Sequence, residues 1–133
     1  MKKLLISLTI VFSTMILVAQ AQSTNEVPAL TSPNSENVIY RLFPTTNVYN
    51  LIKLDTRNGK MWKVQWNAES DKRFTSDINS IPFVAKEDEK NGSFILQATP
   101  NIFNFILLDQ IDGRTWQVQW SNDPDKRGVI PIN

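Results

Sequence analysis

The sequence predicts an all-β protein: two tandem antiparallel β-meander repeats packed with pseudo-twofold symmetry, as a small sandwich or barrel, behind an N-terminal signal peptide. Three observations predict it. Residues 40–79 and 94–133 align without a gap at an offset of 54, with 17 of 40 positions identical, and a fixed internal period decides an architecture before any single residue does. Each copy carries segments whose apolar residues alternate with period two, the pattern of a half-buried strand. Each also carries a turn pair, Asn58–Gly59 in one and Asp112–Gly113 in the other, which favours the positive-φ backbone of a hairpin.

Residues 1–21 read as the signal. Lys2 and Lys3 make a basic start, Leu4 to Val18 is an apolar run, and Ala19, Gln20 and Ala21 supply the small residues of a cleavage site. That run of 15 residues is shorter than the roughly 20 of a membrane-spanning helix, so no stable membrane insertion is expected after cleavage. The chain contains no cysteine, which removes both a thioether lipid anchor and a disulfide framework. An exported bacterial protein, periplasmic or secreted, is the expectation. Residues 22–37, rich in Ser, Thr, Asn and Pro, form a flexible leader, and residues 38–133 form one β domain. Without the signal the charge is 12 basic against 13 acidic residues. Near-neutrality offers no basic surface for nucleic acid.

Within the domain, an opening strand is expected near Tyr40 to Phe43 and again near Phe94 to Gln97. The next spans Val48 to Leu54, with Lys53 on its second face; its counterpart, Ile102 to Leu108, is apolar on nearly both faces, which suits a doubly covered position. In the third, Trp62, Val64 and Trp66 point one way and Lys63 and Gln65 the other, matched by Trp116, Val118 and Trp120 against Gln117 and Gln119. Short extended pieces near Phe74 to Ile78 and Val129 to Ile132 close the copies. Ser80 to Gly92 is a charged, solvated linker. One meander of this size cannot bury enough apolar surface alone, so the two are expected to pack their tryptophan faces into a shared core. The competing arrangement makes each copy a propeller-like blade; two blades cannot close a ring of four or more, so it requires oligomers.

Chemistry is limited by what is missing. With no His and no Cys, nucleophilic triads and the common zinc, copper and haem sites cannot be built. The four glycines form no phosphate-cradling loop. No catalytic residue, metal or cofactor is expected, and the protein reads as a non-enzyme. Asp55 and Asp109, at equivalent positions, suit capping of their own turns; the other use of the pair, as a hydrolytic dyad, needs them to face each other. The ligand-binding candidates lie on faces and loops. Gln65, Gln117 and Gln119, with Lys63, form a polar row, and Tyr49, Phe103 and Phe105 lie on the alternate face of the neighbouring strand, so rings beside amides could hold a sugar. Asn50 and Asn104 should point toward the core and must find partners there. Arg73 and Arg127, in the repeated Asp-Lys-Arg of each exit loop, could fork onto an anion.

The stretch from Leu54 to Trp62 resembles a hairpin, Asp-Thr-x-x-Gly-x-x-Trp, that recurs in small exported bacterial proteins of unknown role; Leu108 to Trp116 matches it with Gln110 in place of the Thr. The resemblance implies the hairpin and a bacterial source and carries no activity. The functional expectation is an exported non-enzymatic binding or interaction module for a glycan or an envelope or extracellular protein. A structural protein pairing through edge strands is the alternative, and a carboxylate-dependent hydrolase is the third reading.

Overall fold

The computed structural model describes residues 38–133; the expected signal and leader, residues 1–21 and 22–37, lie outside them. Eight strands form two four-stranded antiparallel meanders. The first sheet runs β1 (Tyr40–Pro44), β2 (Asn50–Asp55), β3 (Met61–Gln65) and β4 (Phe74–Asn79); the second runs β5 (Phe94–Ala98), β6 (Asn104–Asp109), β7 (Thr115–Gln119) and β8 (Gly128–Ile132). Neither sheet closes on itself, so the architecture is a sandwich and not a barrel. Beyond the strands, the helical elements among the described residues are single 3-10 turns at Ser70–Lys72, Lys86–Asp88 and Pro124–Lys126. Among the described residues no helix is long and apolar enough to cross a membrane.

The registers repeat the period. Tyr40 pairs with Asp55 and Leu51 with Val64, as Phe94 pairs with Asp109 and Phe105 with Val118. In each central hairpin the aspartate N–H donates to the residue five places on, Asp55 to Lys60 and Asp109 to Arg114, both at 2.9 Å. Gly59 and Gly113 complete these turns at φ 79° and 75°, a conformation that costs an L side chain about 1 kcal/mol or more. One difference is local: the first sheet has a register shift between Met61 and Trp62.

The larger difference is which face each unit buries. Every sheet here has a tryptophan face, carrying Trp62 and Val64 or Trp116 and Val118, and an asparagine face, carrying Asn50, Ile52 and Leu54 or Asn104, Ile106 and Leu108. The second sheet turns its tryptophan face inward: Phe94, Leu96, Phe105, Leu107, Trp116, Val118 and Trp120 are core. The first sheet turns its asparagine face inward, burying Ile52, Leu54 and Met61 together with Asn50 and Lys63. Trp62 and Val64 are only half-buried, and Trp66 is 47% exposed. The shared tryptophan core expected from the alternation therefore exists in the second unit alone. Equivalent faces do not meet, and the units stack front to back in place of a twofold.

Composition explains the choice. On the first sheet the tryptophan face carries Lys53 in the middle of β2, whereas the asparagine face offers Ile52 and Leu54 there. On the second sheet Leu107 replaces that lysine and Phe105 stands beside it, so the tryptophan face holds the bulkier apolar set. The linker adds to the asymmetry. Phe83 stacks on Trp116 at 4.4 Å between ring centroids and lies 6.2 Å from Phe94, with its N–H donating to the Asn58 carbonyl at 2.8 Å. The stretch Ser80 to Gly92, expected to be a solvated loop, thus inserts an aromatic ring between the first hairpin turn and the second core.

Candidate functional site

Among the described residues, the tryptophan face of the first sheet is an aromatic surface that the fold leaves open. Tyr40 and Leu42 from β1, 52% and 55% exposed, lie on it beside Lys53 of β2 and Trp62 of β3. Register places them together: Tyr40 opposite Asp55, Lys53 opposite Trp62. Tyr40 and Trp62 meet edge to face at 6.4 Å, and the Lys53 ammonium sits 4.7 Å above the Trp62 ring. At the far end of the same face Trp66 packs against Tyr49 at 5.6 Å, its N–H donating to the Tyr49 carbonyl at 2.9 Å. A shallow cleft runs alongside, lined by Val64, Gln65, Trp66, Arg73, Phe74 and Thr75, so that Gln65 and Arg73 of the candidate residues share it. Flat rings flanked by a lysine and an arginine can stack on an apolar or sugar surface and hold polar groups at the margin.

The residues singled out from the alternation do not gather in one place. Gln65 lies on the inward side of its sheet, half-buried, with Nε2 donating to the Lys72 carbonyl and Oε1 accepting from Lys63. Gln117 and Gln119 lie on the outward side of theirs, and Gln117 donates to the Asn104 side chain at 3.1 Å. The polar row is split because the two units bury opposite faces. Tyr49 belongs to the open surface; Phe103, half exposed, instead packs on buried Trp120 at 6.0 Å. Phe105 is core. Arg73 remains exposed at the cleft. Arg127 is committed to structure: its guanidinium donates to the Ser121 and Asn122 carbonyls, the Ser76 hydroxyl and the Asp77 carbonyl, tying the second unit to β4 of the first.

Lys63 overturns its sequence assignment. It was expected on the outward face, yet it is 1% exposed. Its ammonium donates to Asn122 Oδ1 at 3.1 Å and Gln65 Oε1 at 3.3 Å and lies over the Phe74 ring. No ion pair among the described residues includes it. Burial, followed by the nearby Arg127 charge, lowers its pKa below the ordinary lysine value. Asn50 does point inward as expected; its Nδ2 reaches Asn122, while its Oδ1 has no partner among the described residues. Asn104, on the outer face, is only half-buried.

Asp55 and Asp109 are each consumed by their own turn. Asp55 accepts from the Arg57 amide and, bidentately, from the Arg57 guanidinium at 3.0 and 2.8 Å. Asp109 accepts from the Ile111 and Asp112 amides and from Arg114 at 2.8 Å. Burial raises both pKa values, and the arginine and amide hydrogen bonds outweigh it, holding both below 3.8. The arrangement makes two arginine-locked turns and supplies no free general acid or base. Among the described residues no group of three or more carboxylates could hold a metal ion.

A folded-state pKa depressed below the unfolded value stabilises the fold above the unfolded pKa and loses that contribution as pH falls through the folded one. Asp55→Asn and Asp109→Asn are therefore expected to be less stable than wild type at neutral pH by on the order of 2 kcal/mol each, with the gap closing below about pH 4. Urea midpoints measured down the acid range check this. A gap that persists unchanged into strong acid would show that shape, not charge, makes the contribution.

No family model, curated protein or solved structure matches this chain.

Proposed function

We propose that the protein is an exported, non-enzymatic binding or interaction module whose working surface is the open tryptophan face of its first sheet. One observation carries the reading. The same set of positions that forms the buried core of the second unit stands uncovered in the first, with Trp66 at 47% exposure and Tyr40 and Leu42 above half. Soluble surfaces rarely keep contiguous aromatic patches without a use for them. Rings in a row, Lys53 among them and Arg73 at the rim suit either the C–H face of a glycan or the apolar centre and charged margin of a protein partner. Asp55 and Asp109 lend no support to a hydrolytic dyad, since each is hydrogen-bonded within its own turn.

Tryptophan emission tests the reading, because Trp62 and Trp66 are the solvent-accessible indoles. Titration with a carbohydrate panel and with fractionated envelope protein is expected to shift their emission for one ligand class, and Trp66→Ala is expected to weaken that binding by roughly tenfold or more. A ligand whose affinity is untouched by Trp66→Ala and Tyr40→Ala binds elsewhere and removes this surface from consideration. A second reading, assembly by strand addition, draws on the open edges of both sheets; it expects partners that protect β1 or β8 amides from exchange and leave the tryptophan emission unchanged.

A further inference from the structure

The interface inside one chain already specifies a surface that would fit the open face. The asparagine face of the first sheet lies against the tryptophan face of the second. That leaves a tryptophan face outermost at one end of the chain and an asparagine face outermost at the other. These two leftover surfaces are, position for position at the offset of 54, counterparts of the two surfaces that pack together inside. Tyr40, Leu42 and Leu51 correspond to the core residues Phe94, Leu96 and Phe105; Ile106 and Leu108 correspond to the core residues Ile52 and Leu54.

We propose that the open tryptophan face is covered by a second copy of this chain, whose outer asparagine face docks on it front to back as the two units dock within one chain. This rests on reading the tryptophan face as an interaction surface, and it names the partner. Such an interface is heterologous: each chain offers one face of each kind, so repetition closes a ring or extends a filament. Four-stranded meanders stacked face to face close as rings of about four to eight, which corresponds to roughly two to four chains.

Three further observations fit a second copy in particular. The lysines alternate between sides. Inside the chain Lys63 stands on the asparagine face and Leu107 occupies the Lys53 position opposite; between chains Lys53 would stand on the tryptophan face and Gln117 occupies the Lys63 position. Each interface then holds one of these lysines and never both, with amides beside it in either case. The backbone repeats the relation. The Thr56 carbonyl accepts from the Phe94 N–H at 2.9 Å across the junction of the units, whereas no turn or loop hydrogen bond among the described residues ends on the carbonyl of Gln110, its counterpart; the Tyr40 N–H of a following chain is the equivalent donor. The second strand of the second unit is also apolar on both faces, and Ile106 and Leu108 remain only half-buried among the described residues.

Sedimentation of the protein expressed from its full sequence, over a range of concentrations, is expected to show a defined assembly or a growing series in place of a monomer. Leu42→Asp blocks the tryptophan face and Ile106→Asp the asparagine face; each is expected to weaken self-association by about thirtyfold or more. Mixing the two variants is the decisive step, because one intact face remains on each: they are expected to form a one-to-one heterodimer and nothing larger. Ile130→Asp, on the same outer face and 59% exposed, replaces Ile106→Asp should that variant fail to fold. A wild-type monomer at all concentrations overturns the inference. So does association abolished by Leu42→Asp but indifferent to both isoleucine variants, which would mean a symmetric contact between two tryptophan faces. A monomer that still binds a glycan or a foreign protein through Trp66 sinks the second copy as partner while leaving the interaction surface itself in place.

Discussion

Replacing Trp116 with alanine is expected to lower the unfolding free energy by about 3–5 kcal/mol, while the same change at Trp62 lowers it by about 1 kcal/mol. The two residues occupy one position of the repeat, so sequence distinguishes them only through their neighbours. Trp116 is 7% exposed, stacked on Phe83 and packed against Phe94; its removal leaves a cavity that rigid sheet neighbours cannot fill. Trp62 loses an edge contact with Tyr40 and a lysine over its ring, contacts made at a half-open surface where a cation–π pair contributes about 0.5–1 kcal/mol. Urea midpoints at matched protein concentration, with unchanged slope, give both numbers. Measured on the association-blocked Ile106→Asp background, equal losses would mean that both units bury their tryptophan faces within one chain, contrary to the front-to-back packing of the two sheets.

Gly59→Ala is expected to destabilise the protein by on the order of 3 kcal/mol and Gly113→Ala by about 1 kcal/mol. Both glycines hold positive φ, and both substitutions meet that backbone cost. Only at Gly59 is the space occupied. A Cβ there would stand 2.5 Å from the Phe83 ring and 3.3 Å from Phe94, whereas at Gly113 nothing lies within 4 Å. The excess at Gly59 is therefore the cost of moving Phe83 out of its stack on Trp116, an overpacking penalty of about 1–3 kcal/mol. A companion variant separates the terms: in a Phe83→Ala background the two glycine substitutions should cost the same. If Gly59→Ala remains the more harmful without Phe83, the ring is not the obstacle.

Much of the fold was legible because period-two alternation and the Asn-Gly and Asp-Gly turns act locally. Strands near Tyr40, Phe74, Phe94 and Val129 were located to within a residue or two, and the hairpins fell where Gly59 and Gly113 placed them. Alternation says that two faces differ and not which one is buried. In Met61 to Trp66 the tryptophans outweigh Lys63 and Gln65 on any hydropathy reckoning, yet Lys63 went inside. The deciding residues sit on the neighbouring strand, Lys53 against Ile52 and Leu54, and their influence appears only once β2 and β3 are paired. Phe83 was missed for a related reason: it lies in a charged linker, and its partner Trp116 is 33 residues away. Among the candidate binding residues, Tyr49 and Arg73 reached the open surface, whereas Arg127, at the loop position matching Arg73, turns onto β4 of the first unit because its sheet buries the opposite face. Gln65 and the pair Gln117 and Gln119 were separated for the same reason.

The wedge of Phe83 and the front-to-back stacking together make the chain directional, and this bears on how such a protein can lengthen. A unit joined by twofold symmetry exhausts its sticky face in forming the pair, so a third copy has nowhere to attach. Here an added unit covers one surface and presents another of the same kind, and Ser80 to Gly92 spaces the two units at the 54-residue period. Duplication of a unit therefore lengthens the array in one direction, and what each new junction has to fit is its own aromatic wedge and the one lysine it holds.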